Sequence, residues 1–136
     1  MENMADTPPA SRSFSDQVAT SLKTNGIWPT YKRLLEYLAT SPDNRFVFGT
    51  TEIVRNLIVR DLIGGPQGMA LVPNLTPEFL SDFDRFDLTV QEGYLVSLVD
   101  GRLTIAKIMK LSPLDHFTTL FSLAALSSKG VITLPS

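Results

Sequence analysis

Apolar positions recur at helical spacing in most of this chain, and the most regular succession lies between Asp87 and Ser136. The pattern there predicts three helices, Leu88–Val99, Thr104–Leu111 and Ser112–Ser128, and then an extended run Val131–Leu134 behind Gly130. The punctuation agrees. Thr89 with Glu92 three residues later is a capping-box pair. Asp100-Gly101 ends the first helix with a residue that tolerates the left-handed backbone of a last turn. Thr104 suits the cap of the second helix. Ser112 suits the start of the third, with Pro113 at its first position and Asp115 three residues on. Lys129-Gly130 stops it, with the cation near the negative end of the helix dipole. Helix, short helix, longer helix, then strand is the order of a winged-helix or helix-turn-helix unit.

The rest of the chain is punctuated less sharply. Met1–Ser13 is polar, carries a Pro-Pro pair and reads as a disordered tail. A helix is expected from Ser13 or Ser15 to Asn25, with Phe14, Val18 and Leu22 as its apolar stripe and Gly26 as its stop. Thr30 is expected to open a second helix, Tyr31–Ala39, with Leu34, Leu35 and Leu38 inward. Ser41-Pro42-Asp43-Asn44 reads as a turn. Arg45–Gly49, aromatic and β-branched, reads as a short strand. A helix Glu52–Ile63 capped by Thr50 or Thr51 follows, apolar on most sides and therefore expected to be covered on more than one. Gln67–Val72 is a second possible strand, Pro73-Asn74 a turn, and Thr76-Pro77-Glu78 the start of a brief helix through Leu80. The acidic, aromatic run Ser81–Asp87 leads into the terminal unit.

Together these elements predict a mainly helical α+β protein. It has a tail to residue 13, a helical N-terminal half over 14–86, and a winged-helix-like three-helix unit with a short terminal strand over 87–136. A length of 136 residues is enough for a core without staples. A net charge of -2 gives no electrostatic footprint for nucleic acid or anionic membrane. Cysteine is absent, which excludes disulfides and thiolate chemistry. No apolar run approaches the roughly 20 residues that cross a bilayer. No signal-peptide pattern opens the chain, so a cytoplasmic location is expected.

Catalytic groups are scarce. His116, the single histidine, follows Asp115 on the first turn of the third helix, where adjacent side chains diverge and form no relay. Asp82, Asp84 and Asp87 lack the in-phase glycine and late glutamate of a calcium loop. Gly64-Gly65-Pro66-Gln67-Gly68 follows a helix and precedes an extended run, the reverse of a phosphate loop. No enzyme, cofactor or metal site is expected. The third helix carries Asp115, Thr118, Thr119 and Ser122 where a DNA-reading helix needs cations and amides, and the cations Arg102, Lys107 and Lys110 sit on or beside the second. Leu123 and Leu126 lie off the core stripe of Leu114, Phe117, Leu120 and Phe121, so they read as partner contacts or as core.

The terminal stretch resembles the C-terminal helical segment of bacterial PATAN-type regulators, named after the N-terminus of the PatA response regulator. Its pattern is met by Leu88, Thr89, Glu92 and Gly93; by Ser97, Asp100, Gly101 and Arg102; by Thr104 and Ile108; and by Leu126, Lys129, Gly130 and Ile132. Arg45–Leu75 is similar to the preceding part of such proteins. The Asp-Gly-x-x-Thr-x-x-x-Ile piece also resembles peptide-binding domains of the PqqD type, which capture a leader peptide by strand addition. The first resemblance implies a signalling or scaffolding module that acts by contact with other proteins.

The sequence thus predicts a non-enzymatic protein–protein interaction or signalling adaptor module of a bacterial regulatory system. Candidate contacts are Leu123 and Leu126 on the third helix and Phe83, Asp84 and Phe86 on the acidic-aromatic approach. A DNA-binding winged helix, a PqqD-type peptide-capturing domain and a small-molecule sensor are the alternatives. A homo-oligomer is compatible with the pattern.

Overall fold

Seven α-helices, two 3-10 turns and a two-stranded sheet make up the described residues of the computed structural model, residues 10–65 and 67–134, with side chains from Phe14 onward. The chain is mainly helical with a small β component. It divides into two compact units, and the division falls between Arg55 and Asn56, inside a helix.

The N-terminal unit holds α1 (Ala10–Asn25), α2 (Ile27–Thr40) and the first half of α3 (Arg45–Ile63). The tail expected over Met1–Ser13 lies outside the described residues as far as position 9, and α1 already includes Ala10. Only Gly26 separates α1 from α2, and the two helices pack on each other. Thr30 is not the cap of α2 but a buried residue of its first turn. Its hydroxyl donates to the Gly26 carbonyl at 2.8 Å and lies 2.7 Å from the Ser21 hydroxyl. Tyr31 is half-buried, and burial holds its phenol above the usual range while Arg55 opposes the shift.

Arg45–Gly49 is helical, not extended. Asn44 accepts hydrogen bonds from the Phe46 and Val47 amides at 3.0 and 3.1 Å, so it caps α3, which starts at Arg45 rather than at the expected Glu52. Thr50 and Thr51 therefore lie within the helix. Their hydroxyls donate to the Phe46 and Val47 carbonyls one turn back.

The C-terminal unit has the order expected of it. α5 (Val90–Val96), α6 (Ile105–Leu111) and α7 (His116–Ser128) are followed by β2 (Ile132–Thr133). β2 pairs antiparallel with β1 (Asn74–Leu75), Asn74 opposite Thr133 and Leu75 opposite Ile132. Asn74 is thus in a strand rather than a turn, whereas Gly68–Ala70, within the expected second strand, is a 3-10 turn. α5 stops early because its last turn tightens, with the Leu98 and Val99 amides bonded to the Leu95 and Val96 carbonyls. α7 starts late because Asp115, not Ser112, is its cap. The Ser112 hydroxyl accepts the Leu114 amide instead and lies 2.9 Å from that of Thr119.

α7 is the centre of this unit, in contact with α5, α6 and β2. It ends in a Schellman motif: Gly130 takes φ +81°, and the amides of Gly130 and Val131 reach the carbonyls of Ser127 and Leu126. Leu95, Ile105, Ile108, Leu123, Leu126 and Val131 are fully buried around it. Each such side chain contributes about 1.5–3 kcal/mol relative to exposure.

Candidate functional site

The sequence feature that stays at the surface is the acidic, aromatic run before α5. It folds as a ledge made of α4 (Pro77–Ser81) and the 3-10 turn Phe83–Arg85. Thr76 starts it by accepting the Phe79 amide at 3.1 Å, with Pro77 at the position where a missing N–H costs nothing. The same threonine ties the ledge down. Its hydroxyl donates to the Gly130 carbonyl at 2.6 Å and its amide to the Val131 carbonyl at 2.9 Å.

The far end is tied as well. Lys129 Nζ donates to the Asp87 carbonyl at 3.0 Å and to Glu92 Oε1 at 2.6 Å. Glu92 is buried and completes the capping box of α5 by accepting the Thr89 amide at 2.9 Å. One carboxylate oxygen therefore caps a helix and holds the lysine that fixes the end of the ledge.

Two aromatic rings anchor the middle. Phe79 is buried and Phe86 packs against the core, their rings edge to face at 5.4 Å. The Arg85 guanidinium lies 4.9 Å above the Phe86 ring. Between these anchors Leu80 is 63% exposed and Phe83 61%, with the exposed acids Glu78, Asp82, Asp84 and Asp87 around them. Chemically the ledge offers apolar contact area inside a negative rim.

The sequence-based candidates separate cleanly. Phe83 and Asp84 are exposed on the ledge, and Phe86 is its half-buried anchor. Leu123 and Leu126 are a correction: both are 0% exposed and belong to the core. The flank of α7 on which they lie is enclosed, because seven of the thirteen residues of that helix are buried, Thr119 and Ser122 among them. The residues that sequence reasoning missed are Leu80, Thr76 and Lys129. Leu80 had a signal, its place beside Phe79 at the end of a short helix. The other two act over separations of 54 and 37 residues, which no local pattern shows.

His116 is exposed at the start of α7. No group of three or more metal-ligating side chains occurs among the described residues. Arg102, Lys107 and Lys110 are exposed around α6, while seven of the thirteen residues of α7 are buried. The described sheet has two strands of two residues each. A cavity of ≈ 30 Å³ in the N-terminal unit, lined by Phe14, Ser21, Thr30 and Tyr37 among others, has room for a water. An open depression of ≈ 390 Å³ beside it is lined by polar side chains such as Asp16, Thr20 and Arg33. No described helix is long and apolar enough to cross a membrane. Compared with known proteins, the chain matches no family model, no curated protein and no solved structure.

Proposed function

We propose that the protein is a non-enzymatic interaction module, a signalling adaptor of a bacterial regulatory system, whose ledge docks a partner protein with an apolar, basic face. The observation that carries this is the exposure of Leu80 and Phe83 on a segment anchored at both ends. A large apolar side chain in water is ordinary when it stands alone; two on one short, tethered segment inside an acidic rim make a recognition surface. The succession of three helices and a strand in α5, α6, α7 and β2 and the likeness of residues 86–135 to PATAN-type regulators support the same reading.

The experiment is affinity capture from native cell extract, with nuclease treatment and at two salt concentrations. Wild type is compared with Phe83→Ala and Asp84→Lys variants whose circular dichroism and melting are unchanged. A protein retained after nuclease by the wild type and lost with both variants is the expected result. Retention unaffected by the variants, or recovery of nucleic acid alone at low salt, overturns the proposal.

A further inference from the structure

We propose that the outer stripe of the first half of α3 binds a second copy of this chain, so that the protein pairs about a two-fold axis through Phe46, Gly49, Thr50 and Ile53. The surface is independent of the ledge.

The N-terminal unit is short of buried apolar surface. Among its described residues the buried hydrophobics are Leu34, Val47 and Val54, whereas Leu35, Tyr37, Phe46, Phe48 and Ile53 are exposed, Ile53 by 61%. Of the exposed apolar residues in this half of α3, Phe46 and Ile53 share one side of the helix and Phe48 lies on another. Val47, Thr51 and Val54 form the buried face of this half-helix, and Phe46 and Ile53, with the half-buried Gly49 and Thr50 between them, follow at helical spacing on one flank of it. Phe14 continues the patch, with its ring 5.3 Å from Phe46 and 5.5 Å from Tyr37.

Two features point to close approach by another backbone. A Cβ on Gly49 would meet nothing within 4 Å, so nothing among the described residues demands a glycine there. Glycine in a helix interior is nonetheless unfavourable relative to alanine. Thr50 is small too, and its hydroxyl is already bonded to the Phe46 carbonyl at 2.9 Å.

The stripe complements itself. In an antiparallel pair centred between residues 49 and 50, Phe46 of one copy lies opposite Ile53 of the other, and Gly49 opposite Thr50. A two-fold axis keeps each flank facing its own equivalent. Arg45 and Glu52 share a flank, so the arginine of one copy comes to the carboxylate of the other, the same carboxylate that holds Arg55 at 3.0 Å within the chain. A bulky residue at each end, small ones at the centre and opposite charges on one flank are what a second copy fits; an unrelated partner needs no such symmetry.

The test uses the full chain. Sedimentation equilibrium across the micromolar range is expected to show a reversible dimer, and Ile53→Glu to be monomeric throughout with unchanged circular dichroism. The chain has no cysteine, so Thr50→Cys places one thiol beside the axis, where mild oxidation should link two copies. Thr24→Cys on α1 is the control and should not be linked at that rate. A wild type that stays monomeric, an Ile53→Glu variant that dimerises as the wild type does, or Thr50→Cys linked no faster than Thr24→Cys overturns the proposal.

Discussion

The two units of this chain are built from the same material, short helices with apolar stripes, and reach different ends. In the C-terminal unit α7 is enclosed by α5, α6 and β2, and the core runs through every element it touches. In the N-terminal unit α1 and α2 join through one glycine, and among its described residues the buried hydrophobics are only Leu34, Val47 and Val54; large apolar side chains stay exposed in both units, but here few are buried to offset them. The difference lies in what the helix ends do. In the C-terminal unit caps are shared between elements: Thr76 bonds to Gly130 and Val131, and Glu92 holds both Thr89 and Lys129. In the N-terminal unit one hydroxyl pair, Ser21 with Thr30, joins α1 to α2, whereas Asn44 caps its own helix and the hydroxyls of Thr24, Thr40 and Thr50 turn back on their own turns. Shared caps lock elements together; private caps leave helices that another molecule can complete.

The comparison breaks most visibly at Leu126. Leu126→Ala should cost about 2–5 kcal/mol in chemical denaturation, because a fully buried leucine leaves a cavity. Leu35→Ala, at 43% exposure, should cost within about 0.5 kcal/mol. Similar losses at the two sites would mean that the units do not differ as described.

Lys129→Met tests the shared cap. It leaves Glu92 buried without its cation and should cost about 1–3 kcal/mol, discounted because the lysine side chain is 38% exposed. A loss no larger than that of Leu35→Ala would show that the capping box suffices alone. Gly101→Ala comes next, at about 1–2 kcal/mol. Gly101 sits at φ +80°, and a Cβ there would lie 2.8 Å from Asn74 Oδ1, so the melting temperature should fall while secondary structure stays.

What the sequence disclosed follows the range of the interaction. The caps at Thr76, Thr89 and Thr104 act over three residues and could be read directly. Asn44 acts over the same distance but is masked by Arg45–Gly49, whose aromatic and β-branched residues imitate a strand; the helical series Val47, Thr51, Val54 and Ile58 runs beneath it. Leu123 and Leu126 were misplaced because a surface helix has one apolar stripe, whereas α7 is central and its buried Thr119 satisfies itself on Asp115 and Ser112. On the ledge, Phe83 and Asp84 were legible from composition; the tethers that make the segment a platform, Thr76 and Lys129, were not.

The smallest expected effect is acid dependence at the turn before α6. The Arg102 and Leu103 amides donate to the Asp100 carboxylate and hold it below the usual carboxylate range. Its contribution is present above the unfolded pKa and fades as pH falls through the lower folded value. Asp100→Asn should therefore flatten stability against pH on the acid side, read from denaturation midpoints. An unaltered slope would assign the acid dependence to other carboxylates.

The most direct measurement is residue-resolved amide hydrogen exchange at two protein concentrations. Amides of α7 should exchange only through global unfolding and be indifferent to concentration. Those of α1, α2 and the first half of α3 should open at lower free energy and gain protection as concentration rises. Equal protection along the chain at both concentrations would contradict the account.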